Sequence, residues 1–367
     1  MSSTHPPAKH QSAADISSVS ARKYHHRRQR RRLAVTLLLV VGLLASMIAN
    51  IAIGQYTLSL PAIIEQFRVM FTGDAASDPT AYGVLFTIRL PRVVLGMLVG
   101  AALAVAGAVL QGLLANPLAE PGVIGVTSGA GVGAAAAIVF GWTFLGIATV
   151  PCCAFIAGMF TTWLVYRLAR ADGTVKITSL ILTGIAINAV GGALISFLIF
   201  VASTTAREQI IFWQMGSLNG AKWEQVYAVV VPIVAGCAVA CWIAPQLDVL
   251  ALGERAARHA GVHVTRLRPL VVALATALAA AAVSFAGIIG FIGLIVPHIL
   301  RQALGPTHTW LVPLSAVGGA VLVTAADLLA RTMIAYAELP IGMLTAIVGG
   351  PVFFWLLRRN LAVGGVR

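Results

Sequence analysis

Apolar runs of bilayer length follow one another from Leu33 almost to the C-terminus, roughly ten in all, and this repetition decides the fold class. About twenty residues of helix cross the hydrocarbon at about 1.5 Å per residue. Of 367 residues, 59% are hydrophobic and 10% charged, against about 25% charged in soluble domains. The expected fold is an all-α polytopic membrane protein with about ten transmembrane helices. Little chain remains for a soluble domain, so neither an ATPase nor another extramembrane enzyme is encoded here.

The runs read as helices over 33–53, 88–114, 123–140, 144–168, 177–201, 226–244, 270–288, 310–334 and 341–357, with a short proline-broken segment at 290–301. Ser59–Phe67 (SLPAIIEQF) reads as a short amphipathic helix on the outer surface, followed by a loop with Asp74 and Asp78. The stretch 203–225 is too polar and glycine-broken to cross. A proline-broken segment recurs in each half, NPLAEPG at 116–122 and VPHILR at 296–301, a faint echo of the repeats from which transporters are built.

The net charge of +13 does not describe a nucleic-acid surface. Eight of the 25 Lys and Arg residues precede Leu33, and most others flank apolar runs. With both termini in the cytoplasm, 19 of the 25 lie on the inner side, so the positive-inside bias sets the orientation. Residues 1–32 read as a disordered basic cytoplasmic tail whose Arg-rich end meets anionic lipid; residues 33–360 form the membrane domain. A secretory signal peptide is the rival for this N-terminus, but no small-residue cleavage site follows. His25 and His26 read as solvated tail residues. Cys152, Cys153, Cys237 and Cys241 lie within apolar runs, as small buried side chains do, and suggest neither a disulfide framework nor a metal site.

Two stretches carry functional information. Phe86–Ala137 begins with Arg89 and Arg92 around Pro91, continues as a small-residue helix containing Gly100, Gly107 and Gly112, and breaks at Asn116–Gly122. Asn116 and Glu120 are costly in hydrocarbon, so the break sits at a water boundary or lines a protein-walled cavity. The second stretch is the inner loop 246–268. Leu250-Ala251-Leu252, then Gly253, then Glu254-Arg255-Ala256-Ala257-Arg258, reads as two short helices hinged at the glycine. No P-loop is present, no catalytic triad and no paired acid site; GVTSGAGVG at 125–133 lacks the phosphate-binding lysine and reads as helix packing.

RLPR followed by GAALAVAGAVLQGLLANPLAEPGVIGVTSGAGVG resembles FecCD-type permeases, the membrane subunits of ABC importers for ferric siderophores, heme and vitamin B12. GFIGLIVPHILR and AELPIGMLTAIVGGPVFFWLLRR resemble the same family, and the likeness covers about residues 55–360. It implies the type II ABC importer permease fold, a homodimer, two separate ABC ATPase subunits and an extracytoplasmic substrate-binding protein. The segment LALGE..AR..GV is similar to the family's coupling segment, which implies an ATPase contact through Leu250, Ala251, Leu252, Gly253, Glu254, Ala257, Arg258 and Gly261. The positions of Arg89, Arg92 and Arg331 match arginines that dock the binding protein in the B12 branch. His298 sits in a pattern shared across branches and is read as structural. Asp327 is expected to pair with a nearby arginine.

For cargo, TTAREQIIFWQMGSLNGAKW at 204–223 resembles a heme-permease segment, with Glu208-Gln209 departing from an aspartate common there. The expected cargo is heme, with a ferric siderophore as alternative and a corrinoid after it. No cofactor is expected to be held permanently. Asn116, Arg207 and Met215 are the candidate pathway residues. A stand-alone secondary transporter, the rival class, needs ionisable residues inside several helices, and the apolar runs hold almost none.

Overall fold

Small residues decide which helix lies at the centre. The computed structural model describes residues 13–73, 78–171, 174–334 and 336–364. In chain order its helices are α1 (Ala13–Ala52), α2 (Leu60–Thr72), α3 (Pro79–Gly83), α4 (Leu90–Leu114), α5 (Val126–Val139), α6 (Thr149–Leu168), α7 (Ile177–Val201), α8 (Thr204–Met215), α9 (Trp223–Leu250), α10 (Glu254–His259), α11 (Val264–Ala286), α12 (Ile292–Leu304), α13 (His308–Thr332) and α14 (Ile341–Gly364). A two-residue antiparallel ladder, β1 (Arg170–Ala171) with β2 (Thr174–Val175), closes the turn between α6 and α7.

In the most apolar window of the span Pro79–Leu114, 78% of residues are buried within the chain, against 72% in α11, 61% in α13, 22% in α6 and α7, and 6% in α1. The helix α4 is therefore the axis, packed by α13, α11, α9 and α12, while α5 bridges to α6 and α7. Helices can approach this closely only where side chains are missing. A Cβ at Gly100 would overlap the Gly319 carbonyl of α13, and one at Gly107 the Gly293 carbonyl of α12. Gln111, one turn further along α4, donates from Nε2 to that same Gly293 carbonyl at 3.1 Å.

Among the described residues seven helices are long and apolar enough to cross a membrane, and α5, α12 and the start of α14 are shorter apolar helices. These correspond to the ten runs read from the sequence. The chain is a multi-pass membrane protein. The run at 177–201 is helical throughout, and the short helix expected at 59–67 runs over Leu60–Thr72, capped by Ser59, whose Oγ accepts from Ala62 N at 3.3 Å.

Three expectations are corrected. The first helix starts at Ala13 rather than Leu33, so the described part of the basic tail is a helical extension of the first span. Arginine favours helix nearly as well as alanine, and Arg28 and Arg31 find partners at Thr307 and Gln302. Residues 1–12 of the expected tail lie outside the described residues, as does Asp74. The helix expected to stop at Ala244 runs through Pro245 to Leu250. One lost backbone hydrogen bond is tolerated where neighbouring helices hold the segment. Lastly, the first of the two short helices expected around Gly253 is the final turn of α9, and only α10 stands alone.

Substituting Gly107→Ala is expected to lower stability by about 2 kcal/mol or more, since the added methyl meets backbone that cannot yield. Gly83→Ala, in α3 with no neighbouring atom within 4 Å, is the control and does not lower stability. Thermal melting of the two variants in detergent measures the difference.

Candidate functional site

Charge is concentrated at the two ends of the bundle and in one cavity beside the break. At one end of the bundle a six-residue π-helical segment, Val84–Arg89, leads directly into α4 and brings Arg89 and Arg92 to its start. Arg92 is 7% exposed and holds two carboxylates. Its NH2 donates to Asp327 Oδ1 at 2.8 Å and its Nε to Asp327 Oδ2 at 3.0 Å, while NH1 donates to Glu338 Oε1 at 3.0 Å and Oε2 at 3.1 Å. Arg331 donates to Asn50 through O at 2.6 Å and Oδ1 at 3.0 Å. Arg89, 4% exposed, donates to the carbonyls of Ile51 and Tyr56 and to that of Ala52 at 3.1 Å.

All three arginines are thus bonded inward, tying α1, α4 and α13 and the turn before α14. The expected Asp327–arginine pair is present. Glu338, absent from the sequence reading, is the exposed member of the group. A buried guanidinium is tolerated only with its donors satisfied, which accounts for the closed arrangement.

Beside the break, a cavity of about 450 Å3 is lined by Asn116, Glu120, Thr127, Ile181, Ile185 and Asn188, among others. The Asn116 side chain accepts from Leu118 N at 2.9 Å and shapes the turn. Asn188, in the middle of α7, accepts from Ser128 Oγ at 2.7 Å and donates to the Gly122 carbonyl at 2.9 Å, so it fastens the break to α5 and α7. Burial pushes the Glu120 carboxyl above its usual range, partly offset by a hydrogen bond from the Phe291 backbone. The signal for Asn188 was in the sequence: a lone amide within an apolar helix needs partners.

The other two pathway candidates lie apart from this cavity. Met215 ends α8 next to a second cavity of about 380 Å3, lined by Phe212, Trp213, Ser217, Phe285, Gly287 and Glu338, among others. Arg207 is exposed on α8 and donates to the carbonyls of Ile199 at 3.3 Å and Ala202 at 3.4 Å, at the end of α7. It lines neither cavity.

At the other end of the bundle, α9 stops at Leu250 and the chain turns through Gly253, whose φ of 108° suits glycine. Leu252 is 77% exposed at the tip of this turn. Glu254 is paired within the chain rather than left as a free charge: Oε1 accepts from Arg258 at 2.6 Å and Oε2 from Arg268 of α11 at 2.8 Å. Ala257 is fully buried against the bundle, Gly261 turns the chain back with φ 82°, and Leu250 and Ala251 complete the hinge. The exposed face includes Ala251, Leu252, Arg255, Ala256 and Arg258.

Two residues before Leu250, Asp248 accepts hydrogen bonds from the backbone N–H of His308, from His308 Nδ1 at 2.9 Å, from Thr309 N at 3.2 Å and from Thr309 Oγ1 at 2.7 Å. A carboxylate of α9 thus caps α13. Sequence reasoning missed it because the capping residue is 60 positions away.

Comparison with known proteins agrees with this architecture. The model of the FecCD transport family matches residues 39–359. The hemin transport system permease protein HmuU of Yersinia pestis is 37% identical over 324 residues, covering 88% of this chain and 96% of its own length. The cobalamin import system permease protein BtuC of Halobacterium salinarum is 43% identical over 279 residues, covering 76% and 74%. A solved inward-facing ABC transporter of metal-chelate type superposes with a TM-score of 0.78 at 34% identity, over 90% of this chain and 99% of that one. This chain belongs to the FecCD transport family and is an ABC importer permease.

Proposed function

We propose that the chain is the membrane half of a homodimeric heme importer, driven by two separate ATPase subunits and fed by an extracytoplasmic binding protein. The observation that carries the cargo is the likeness to a hemin permease along 96% of that permease's length. The metal-chelate transporter agrees, since heme is an iron chelate; a ferric siderophore is the alternative in the same class. A corrinoid is a second reading, favoured by the 43% identity to a cobalamin permease. Both termini lie in the cytoplasm in this proposal, as the positive-inside bias requires.

The geometry supports each role. The exposed apolar face of α7, with Leu182, Ile185, Val190, Leu194 and Phe197, is suited to a second copy across the pathway. Leu252 and the α10 face beside it are the ATPase contact, and Glu254, through Arg268, transmits a displacement of that face to α11. On the outer side, Arg92 reaches a docking carboxylate only by exchanging Glu338, the one exposed partner in its group. The free donors of Arg207 and the soft sulfur of Met215 lie at the entrance, where heme propionates and iron would pass.

Replacing Leu252→Asp in the reconstituted transporter is expected to abolish stimulation of the ATPase while leaving the melting temperature of the permease unchanged. Uphill uptake by this chain alone, with no nucleotide-hydrolysing subunit, would refute the whole reading. For the cargo, Arg207→Ala is expected to raise KM for hemin about tenfold, the worth of one hydrogen bond to a charged group. Uptake of cobalamin that exceeds that of hemin and is indifferent to this substitution would transfer the assignment to a corrinoid.

A further inference from the structure

The N-terminal basic segment takes no part in the roles above, yet it forms a defined groove. Arg27, Arg28, Arg31 and Arg32 line a cavity of about 470 Å3 against the end of α12 and the loop that follows, Gln302–Pro306. Three of the four guanidinium groups have partners within the chain. Arg28 NH2 donates to Thr307 Oγ1 at 2.9 Å, Arg31 NH2 donates to the Gln302 carbonyl at 3.1 Å, and Arg32 lies 5.0 Å from the centroid of the Trp310 ring. Each keeps further donors, and Arg32 Nε is buried with no partner.

No carboxylate serves these four. Among the described residues none of them forms an ion pair, and no acidic side chain lines the groove. Asp248, whose field reaches Arg32, is already committed to His308 and Thr309. Arg27 with Arg31, and Arg28 with Arg32, are like charges one turn apart on a helix, an arrangement that destabilises it unless an anion lies between them. The depth of the groove says where the anion comes from. The apolar part of α1 begins at Leu33, directly after Arg32, so the four arginines stand at the level of the lipid phosphates.

We infer that this groove binds the phosphate headgroup of an anionic phospholipid, clamping α1 to the α12–α13 loop. The fork of each guanidinium pairs with two phosphate oxygens, and the Trp310 ring holds the guanidinium of Arg32 in place. A bound lipid would bear on the start of α13, the same helix end that Asp248 of α9 caps.

The test uses the full chain in its assembled transporter. Purified in detergent, it is examined by native mass spectrometry and thermal melting with phosphatidylglycerol and with phosphatidylcholine. Phosphatidylglycerol is expected to be retained and to raise the melting temperature, and phosphatidylcholine to do neither. The pair Arg27→Gln/Arg31→Gln should weaken retention roughly 25-fold, about fivefold for each arginine near a lipid surface. The pair Lys176→Gln/Arg266→Gln removes the same charge from exposed positions elsewhere and should change nothing. Equal retention of the two lipids, or an equal effect of the two variant pairs, would overturn the proposal. Pyrophosphate added without lipid is the final arm: if it stabilises the protein as much as phosphatidylglycerol does, the lipid is not the occupant and the proposal falls.

Discussion

Direct contact between backbones inside the bundle is the constraint on which the other features depend. Lipid tails are as apolar as leucine, so helices in a membrane gain little from merely hiding side chains from one another. They gain from closeness, and here α4 touches α13 at Gly100 and Gly319 and α12 at Gly107 and Gly293. Both functional ends inherit their register from these contacts. Arg92 can span Asp327 and Glu338 because α4 and α13 are locked together below them. Gln111 reaches the Gly293 carbonyl because α12 is held just as tightly.

Charge follows a second rule. The bundle centre is left to small and apolar side chains, and ionised groups collect where water or a lipid headgroup is near. At the end where α4 begins, the arginines are gathered into bonds within the chain. At the other end most are spread over α10, the start of α11 and the N-terminal extension. Among the described polar groups that depart from this separation, Glu120 and Asn188 border the cavity beside the break, and Gln111 is buried on the Gly293 carbonyl. An ABC permease needs a polar-lined route for cargo but no ion-coupling relay, and this distribution fits that need.

Much of this was legible in the chain, because period and composition act locally. Helix positions followed from apolar runs, and the limits of α7 were read to the residue. The hinge at Gly253 was visible as a glycine between an apolar triplet and a charged one. What escaped depends on distance along the chain. Arg92 and Glu338 are 246 positions apart, and Asp248 and His308 are 60 apart, so neither pair leaves a local mark. The same gap explains why Glu254 reads as a free charge and folds as a paired one: its second partner, Arg268, belongs to the next long helix. The basic extension was misjudged for a related reason, since composition alone gives no sign of the loop at Gln302–Pro306 that receives it.

The position of Asp248 has a mechanical corollary. It lies between Pro245, where α9 lacks one backbone hydrogen bond, and Leu250, where α9 ends. A load applied at the neighbouring turn therefore reaches a short rigid stub mounted on a flexible joint, and the stub is bolted to the first residues of α13. In the proposed transporter the two helices would then rock together about that fulcrum, which would make the far end of α13, with Asp327 and Arg331, the opposite arm of a single see-saw.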